Sequence, residues 1–281
     1  MLNRRDFGTG LVTSAAMRRG GPERPPPQPS PGKEPNLARI LRTKKLRLAG
    51  FVGEEPYCYK DLASGQWSGF CVAFARDLAA QLGVEVAVSE ANWADAITDL
   101  HTGMVDLCYG LEPTPQRAMF ADFGSPLFYD VYAIIARKDF APKTWAEINV
   151  PGTLVSADTG SAREEAVRRL AGQAAMTGFK TRSEALLAVQ SGRVDCFVGT
   201  TLLLLSELKQ DPPYGELRVP TPHLRAAICP ALPYDDDRRF RGVVEAWRED
   251  NQETGAIRDR IMAALAKLGI TPGDLPPDVS L

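Results

Sequence analysis

The stretch that decides the fold spans residues 103–123 and reads GMVDLCYGLEPTPQRAMFADF. Gly103 follows an amphipathic run and stands where a glycine in the left-handed conformation ends a helix. Hydrophobic alternation then predicts a short strand over residues 105–109, a loop after it, and Arg117 just beyond that loop. Because open α/β sheets bind small molecules beyond the carboxyl ends of their strands, the stretch indicates a ligand site.

The same pattern occurs a second time, at a constant spacing along the chain. Residues 96–110 are matched by residues 185–199, and the sequence Gly-x-Val-Asp ends at Asp106 in the first copy and at Asp195 in the second. A helix, a glycine and a strand are therefore expected twice. The simplest interpretation is two α/β lobes of similar construction, each of which brings the end of a strand to the same place.

The composition excludes several classes of protein. Basic and acidic residues are nearly balanced, 33 against 35, which argues against a nucleic-acid partner. The five cysteines form no CxxC pair and there are only two histidines, so a structural metal site is not expected. The body of the chain contains no apolar run long enough for a transmembrane helix. The sequence contains no Walker loop, GxSxG or HExxH motif, and we expect no cofactor.

The start of the chain is predicted to lie outside the folded body. Residues 1–20 resemble an export signal of the twin-arginine type, because NRRDF at residues 3–7 is followed by a mildly apolar segment. The alternative is a basic start of a cytoplasmic protein, since Arg18 and Arg19 interrupt that segment. Residues 21–36 are rich in proline and are expected to form an extended linker.

Strands and helices alternate along the remaining sequence, which is typical of an α/β fold. The expected strands cover residues 45–50, 84–88, 105–109, 127–137, 153–157, 194–198 and 225–232, and the expected helices cover residues 69–83, 93–100, 163–171, 183–190, 202–205, 240–251 and 256–268. The strands at 127–137 and 225–232 are expected to cross between the lobes. Lobe 1 would then comprise residues 37–132 and 233–281, and lobe 2 residues 133–232, with a cleft about which they can hinge.

A specific combination of segments occurs in order along this body. The segments are EPYCYKD (55–61), WSGF (67–70), NW (92–93), GLEPTPQR (110–117) with DF (122–123), and SGRVD (191–195). Through them the chain, from about residue 46 to residue 269, resembles the type II periplasmic solute-binding proteins of the polar amino acid uptake class, bacterial extracellular solute-binding protein family 3. The resemblance implies a bilobed fold, periplasmic residence, a small polar, amino-acid-like ligand between the lobes, and delivery to the membrane permease of an ABC importer. We expect a monomer.

Arg117 is the first candidate for ligand contact. Its guanidinium offers a planar fork that can hold a carboxylate with two parallel hydrogen bonds, and in the resembling proteins the matching arginine holds the ligand's α-carboxylate. The resemblance also implies close backbone approach at Gly110 and an aromatic cover from Trp93, for which a place in the helix's apolar core is the alternative. Gly160 and Ser161 begin a helix, whose free N–H groups and dipole attract an anion, so we assign them to the ligand as well.

Three departures from the family pattern bear on the ligand. Thr200 stands where α-amino acid receptors of this family carry an aspartate for the ligand's ammonium, and a hydroxyl cannot supply that charge. Glu112 replaces a serine or threonine, and Glu54 replaces an aromatic cover. One interpretation is that Glu112, with Glu54, meets a cationic group of the ligand while Arg117 meets an anionic one. The other is that Glu112 pairs with Arg117 in a closed or altered site.

The leading hypothesis is a binding protein without catalytic activity, and two others compete with it. Dehydratases acting on cyclohexadienyl compounds share the fold, but they place a catalytic carboxylate near the position where this chain has Arg163. A third hypothesis is a periplasmic accessory or sensor protein whose cleft is vestigial. The substitutions at Glu112 and Thr200 keep that hypothesis open.

Overall fold

The computed structural model describes residues 34–179, 181–210 and 214–281. The predicted export signal and nearly all of the predicted linker lie outside the described residues. Helix α1 (Asn36–Thr43) begins at the last residue of the predicted linker and buries Asn36. This helix forms on the body of the protein, since Ile40 is fully buried in the core.

Strands and helices alternate in the described part of the chain as the sequence predicts. The strands are β1 (Lys45–Phe51), β2 (Tyr59–Lys60), β3 (Trp67–Ser68), β4 (Glu85–Ala91), β5 (Cys108–Leu111), β6 (Asp122–Phe123), β7 (Phe128–Ala136), β8 (Leu154–Asp158), β9 (Ala175–Phe179), β10 (Cys196–Thr200), β11 (Glu216–Arg218) and β12 (Arg225–Leu232). The helices after α1 are α2 (Phe70–Leu82), α3 (Trp93–Thr102), α4 (Pro115–Ala118), α5 (Trp145–Ile148), α6 (Ala162–Leu170), α7 (Arg182–Gln190), α8 (Thr201–Gln210), α9 (Arg239–Glu253) and α10 (Ala256–Lys267).

Lobe 1 is built on the parallel pair of β1 and β4, with α2 packed against both. Helix α2 ends at Gly83, whose φ of 63° gives the left-handed stop that the sequence predicts. The C-terminal helices α9 and α10 return to this lobe, as expected. The ring of Trp247 on α9 lies 5.7 Å from that of Phe74, and Arg260 on α10 is 2.6 Å from Asp77.

Two long strands cross between the lobes. The first half of β7 pairs antiparallel with β12, and its second half pairs with β10 of lobe 2. The far half of β12 continues into lobe 1, where it pairs with β5 and β6. The bilobed α/β fold with two crossings is therefore confirmed, while the residue limits of each lobe stay a prediction.

Lobe 2 extends from the second half of β7 through β10, β8 and β9, and β11 pairs with β7 as well. The neighbours β10, β8 and β9 run parallel, so their carboxyl ends lie at one edge of the sheet. Helix α7 covers one face, where a separate apolar cluster includes Ile135, Leu186, Val189 and Phe197.

The aspartate of the repeated Gly-x-Val-Asp segment makes equivalent hydrogen bonds in both lobes. The Asp106 carboxylate accepts a hydrogen bond from the backbone N–H of Arg47 at 2.8 Å, and the Asp195 carboxylate accepts one from Leu154 N–H at 2.7 Å. In return, Asp106 N–H donates to the Arg47 carbonyl and Asp195 N–H to the Leu154 carbonyl. Each aspartate thus aligns its own segment with the start of the neighbouring parallel strand.

The strands after these aspartates begin later than predicted. The predicted strands at 105–109 and 194–198 correspond to β5 and β10, which begin at Cys108 and Cys196. The segment from Val105 to Leu111 is buried throughout, so hydrophobic alternation cannot mark where pairing begins. Strands β9 and β11 are missing from the sequence prediction, because both are short and half-exposed edge strands without a clear apolar pattern.

The described residues contain no helix with the length and hydrophobicity needed to span a bilayer. All five cysteines are buried free thiols. No group of histidine, cysteine and acidic side chains suited to a metal ion occurs among the described residues.

Candidate functional site

The predicted site residues meet at the carboxyl ends of strands from both lobes. On lobe 1, Glu54 follows β1, Trp93 begins α3 after β4, and Glu112 follows β5. On lobe 2, Thr200 ends β10, and Asp158, which the sequence analysis does not identify, ends β8. All of these side chains are buried, so the two lobes are in direct contact over this region.

Arg117 bonds to both lobes. It lies in the short helix α4, which is capped by the Thr114 hydroxyl, and is only 6% exposed. Its guanidinium donates to the backbone carbonyl of Glu112 at 3.0 Å and to the carbonyl of Gly160, on lobe 2, at 3.1 Å. Burial lowers the pKa of Arg117 from its ordinary value, while the Glu112 carboxylate acts against that change. The guanidinium stays charged at neutral pH.

The Glu112 carboxylate takes partners other than Arg117. One carboxylate oxygen lies 3.5 Å from the guanidinium of Arg163, and the other accepts a short hydrogen bond from the Tyr132 hydroxyl. Burial raises the pKa of Tyr132, and Glu112 adds to that shift, so the phenol stays protonated and donates. The Glu112 carboxylate therefore does not form the ion pair with Arg117 that the second interpretation expects. Whether Glu112 also contacts a ligand stays a prediction.

Arg163 lies at the centre of the contact between the lobes. Its guanidinium carbon is 4.9 Å from the centroid of the Trp93 ring, and its Nη2 is 3.3 Å from the Asp158 carboxylate. With Glu112 on the third side, its side chain is 5% exposed. Burial acts to lower the pKa of Arg163, but Asp158, Glu112 and Glu54 together raise it above its ordinary value. A permanently charged side chain thus fills this part of the cleft.

The start of α6 is satisfied by the chain itself. The Gly160 N–H donates to the Glu164 carboxylate at 2.7 Å, and the Ser161 hydroxyl accepts from Glu164 N–H at 3.2 Å. This reciprocal arrangement resembles a capping box, with one polar partner three residues after the other. The Ser161 hydroxyl also donates to the Asp158 carbonyl at 2.7 Å. The groups that we predict to bind an anion therefore already have partners in this conformation.

Glu54 is held by an arginine of the opposite lobe. Arg182, at the start of α7, donates short hydrogen bonds to the Glu54 carboxylate and to the Gly53 carbonyl, and pairs with Glu207 at 2.6 Å. Burial raises the pKa of Glu54, with Asp158 adding to the shift and Arg182 opposing it. A cavity of about 510 Å³ opens beside this pair and is bordered by Trp93 and Asp158.

Gly110 and Thr200 are buried against neighbours that the sequence does not predict. Gly110 has a φ of 91°, and a Cβ there would lie 3.0 Å from the Tyr57 ring, so packing accounts for the glycine. The Thr200 hydroxyl is buried and has no hydrogen-bond partner of good geometry among the described residues. It is nevertheless close enough to the Asp130 carboxyl to contribute to the pKa of that group.

Asp130 is a buried acid on the crossing strand β7. Its carboxylate accepts hydrogen bonds from Val131 N–H at 2.7 Å, from Leu202 N–H at 3.2 Å, and from the Tyr57 hydroxyl at 3.2 Å. Burial, only partly offset by these bonds, raises its pKa from 3.8 to about 6. This acid thus lies on the strand that crosses from lobe 1 to lobe 2.

The raised pKa of Asp130 predicts a pH-dependent stability. Because its pKa in the folded protein is about 6, against 3.8 for an unperturbed aspartate, its contribution is complete below the unfolded value and is lost as pH rises through 6. The full effect is about 3 kcal/mol, from 1.36 kcal/mol per pKa unit. About half of this effect falls between pH 5 and pH 7.5, and over that range thermal unfolding of the wild type should shift to lower temperature.

Asp130→Asn removes the titration of this group and should reduce the slope, leaving the part of the same sign that comes from Glu54. The measurement is the melting temperature of both proteins across the same buffers at constant ionic strength. Equal slopes for the wild type and Asp130→Asn would contradict the assignment.

Several residues of the site escape sequence reasoning. Arg163 is treated there only as an obstacle to catalysis, and Asp158, Arg182 and Asp130 are not identified at all. One signal was available for Arg163. An arginine in the first turn of a helix opposes the helix dipole, which favours anions at that end, so its presence indicates a carboxylate partner from elsewhere in the fold. The side chains that Asp130 and Arg182 contact are too distant in sequence for any local signal.

Comparisons with known proteins agree with this architecture. Residues 46–269 match the family model of bacterial extracellular solute-binding proteins, family 3. The arginine-binding extracellular protein ArtP of Bacillus subtilis (strain 168) is 29% identical over 161 residues, 55% of this chain and 60% of that protein. The ABC transporter arginine-binding protein 1 of Escherichia coli (strain K12) is 23% identical over 154 residues, 54% of this chain and 62% of its own. The alignments thus span about three-fifths of these relatives' length.

Among solved structures, the fold is similar to that of the ancestral amino acid-binding protein AncCDT-1, a precursor of cyclohexadienyl dehydratase. The TM-score is 0.72 at 25% identity, covering 83% of this chain and 98% of that one. The match to the family model extends over most of the described residues and includes every segment that carries the predicted site. The chain belongs to the bacterial extracellular solute-binding proteins, family 3.

Proposed function

We propose that the protein is the periplasmic substrate-binding component of an ABC importer and captures a small, amino-acid-like ligand between its lobes. The observation that carries this proposal is the position of Arg117. Its buried guanidinium lies at the contact between the lobes and bonds a carbonyl from each. A ligand carboxylate inserted there would replace the two backbone carbonyls as hydrogen-bond acceptors of Arg117. Hydrogen bonds from a guanidinium to a charged carboxylate are stronger than those to a neutral carbonyl.

The two-lobed architecture supports capture by closure. In this proposal lobe 1 comprises residues 37–132 and 233–281, lobe 2 comprises residues 133–232, and the crossing strands β7 and β12 act as the hinge. A ligand shifts the balance towards the closed form only through contacts that it makes better there. Contacts to Arg117 and Glu112 on one lobe and to Gly160 and Ser161 on the other would meet that condition.

The remaining parts of the proposal rest on family membership and, for the export signal, on the sequence at residues 3–7. The protein would be exported, with residues 1–20 as a twin-arginine signal, and would act as a monomer that delivers its ligand to a membrane permease. We propose no nucleic-acid partner and no catalytic activity. The relatives named above are binding proteins, although one structural relative is a precursor of a dehydratase. An assay for consumption of prephenate or arogenate tests the enzyme alternative.

Arg117→Ala should strongly weaken ligand capture. Calorimetric titration of the wild type with a panel of amino acids, amines and small organic acids identifies the ligand, and the variant is then titrated with it. We expect the variant to bind at least about 100-fold more weakly, since a hydrogen bond to a charged group contributes about 1.5–3 kcal/mol, two are lost, and about 1.4 kcal/mol is tenfold in affinity. Arg42→Ala, on the exposed surface of lobe 1, is the control and should bind normally.

An Arg117→Ala variant that binds the same ligand with unchanged affinity would contradict the proposed anion site. A panel in which no compound binds the wild type would contradict the receptor function itself, and would favour the accessory or sensor role.

A further inference from the structure

The guanidinium of Arg163 has the surroundings of a bound ligand. It lies over the face of Trp93 and between the carboxylates of Glu112 and Asp158. A cationic ligand in a protein cleft is recognised by the same groups, because aromatic faces attract cations and carboxylates pair with a guanidinium. Trp93 and Glu112 belong to lobe 1, whereas Arg163 and Asp158 belong to lobe 2. The contacts of Arg163 therefore form across the cleft.

We propose that Arg163 is an internal guest that occupies the cation-binding part of the cleft, so that the wild-type protein rejects amino acids with a cationic side chain. This inference rests on the proposed function and names its ligand class as zwitterionic amino acids with an uncharged or acidic side chain. Two of the relatives described above are named as arginine-binding proteins. In this chain a guanidinium at the cleft is supplied by the protein itself.

Competition follows from the geometry of the site. A ligand guanidinium could reach Trp93 and Glu112 only by displacing Arg163, which would then be buried away from its carboxylate partners. If it bound beside Arg163 instead, two like charges would share a buried pocket that also holds Arg117. Like charges repel each other strongly in such surroundings, because little water is present to screen them. Either route disfavours a cationic side chain.

Two buried polar atoms remain for a zwitterionic ligand. The Nε of Arg163 and the Oδ1 of Asp158 have no hydrogen-bond partner among the described residues. The first can donate to a carboxylate, and the second can accept from an ammonium group. Buried polar atoms without partners are uncommon in folded proteins, so their occurrence in the cleft is consistent with a ligand that completes them. Neither atom requires a second guanidinium as its partner.

The test removes the Arg163 side chain and measures whether a guanidinium compound from solution binds in its place. Arg163→Ala leaves Trp93, Glu112 and Asp158 intact around a vacant position, and ethylguanidinium chloride is the probe. We expect it to raise the melting temperature of Arg163→Ala at millimolar concentrations, and L-arginine to bind this variant at least about 10-fold more tightly than the wild type. The wild type should gain nothing from ethylguanidinium and should bind L-arginine more weakly than neutral amino acids.

Two variants control for charge and for helix position. Arg163→Met removes the charge but keeps an unbranched side chain in the cleft, so it should not gain guanidinium binding. Arg168→Ala removes an arginine from the same helix whose side chain is 65% exposed, and it should behave like the wild type. Ethylammonium chloride, at the same ionic strength, distinguishes guanidinium recognition from a general effect of cations.

The inference is overturned if folded Arg163→Ala gains no affinity for ethylguanidinium, with folding judged by circular dichroism. It is also overturned if the wild type binds L-arginine as tightly as any neutral amino acid. That result does not depend on whether the variant folds, and it would leave the proposed receptor function unchanged. If no amino acid binds the wild type, the proposed function fails, while the ethylguanidinium titration still tests the internal guest.

Discussion

Asp106→Ala is expected to lower the free energy of unfolding by about 3 kcal/mol, the low end of the range for breaking a buried ion pair, because the carboxylate is fully buried whereas its two arginine partners are 19% and 28% exposed. The Asp106 side chain is fully buried and pairs with Arg39 and with Arg47. The Nη2 of Arg47 lies 2.6 Å from the Asp106 carboxylate. It also accepts the backbone N–H of Arg47 at the start of strand β1. The substitution therefore removes the charge partner of two arginines and the alignment of a core strand.

Asp195→Ala is the matched control, because the two aspartates have equivalent positions in the repeated pattern. Asp195 accepts Leu154 N–H and pairs with Arg137, but its side chain is 15% exposed and that of Arg137 is 34% exposed. Water can partly replace the lost partner, so the expected loss is less than half of that for Asp106→Ala. Urea unfolding followed by circular dichroism measures both. Equal losses would show that burial does not set the difference.

Gly69→Ala is expected to prevent stable folding or to cost at least about 3 kcal/mol, since two independent penalties coincide. Gly69 has φ 102° and ψ 163°, a backbone region essentially restricted to glycine. A Cβ at this position would also lie 2.3 Å from the carbonyl oxygen of Tyr57. That carbonyl cannot move away freely, because it accepts a hydrogen bond from Cys71 N–H in the first turn of α2.

Gly65→Ala separates the steric penalty from the conformational one. Gly65 has φ of 70°, but a Cβ added there would have no heavy atom within 4 Å, so only the left-handed backbone is unfavourable. A cost of about 1 kcal/mol is expected there. The yield of soluble protein and the melting temperature provide the comparison. If Gly69→Ala were as stable as Gly65→Ala, the loop from Tyr57 to Gly69 would not be the rigid support that the contacts indicate.

These substitutions also bear on the cleft. Tyr57 connects the loop to the site, since its hydroxyl donates to Asp130 and its ring packs against Gly110. A displaced Tyr57 would disturb β5, which ends beside the proposed ligand, and the crossing strand β7. Loss of ligand binding in Gly69→Ala would therefore follow from loss of the scaffold, whereas Arg117→Ala and Arg163→Ala change only groups inside the cleft.

Local patterns predict much of the fold because their causes are local. The apolar face of α2 and the glycine stops at Gly83 and Gly103 follow from helix geometry and from the freedom of glycine to adopt positive φ. The repeated Gly-x-Val-Asp segment predicts two similar lobes, and its aspartates take equivalent roles in both. Strand ends and edge strands are predicted less well, since pairing depends on neighbours far along the chain.

The candidate site divides in the same way. The sequence by itself determined the identities and positions of the charged groups after the strand ends, including Arg117, Glu112 and Glu54. Only the tertiary structure decided which charges meet: Glu112 contacts Arg163 rather than the guanidinium of Arg117, and Glu54 contacts Arg182. The reason is physical, because the strength of an ion pair depends on distance and burial. Both are set by how two lobes close on each other, which no periodicity in the chain records.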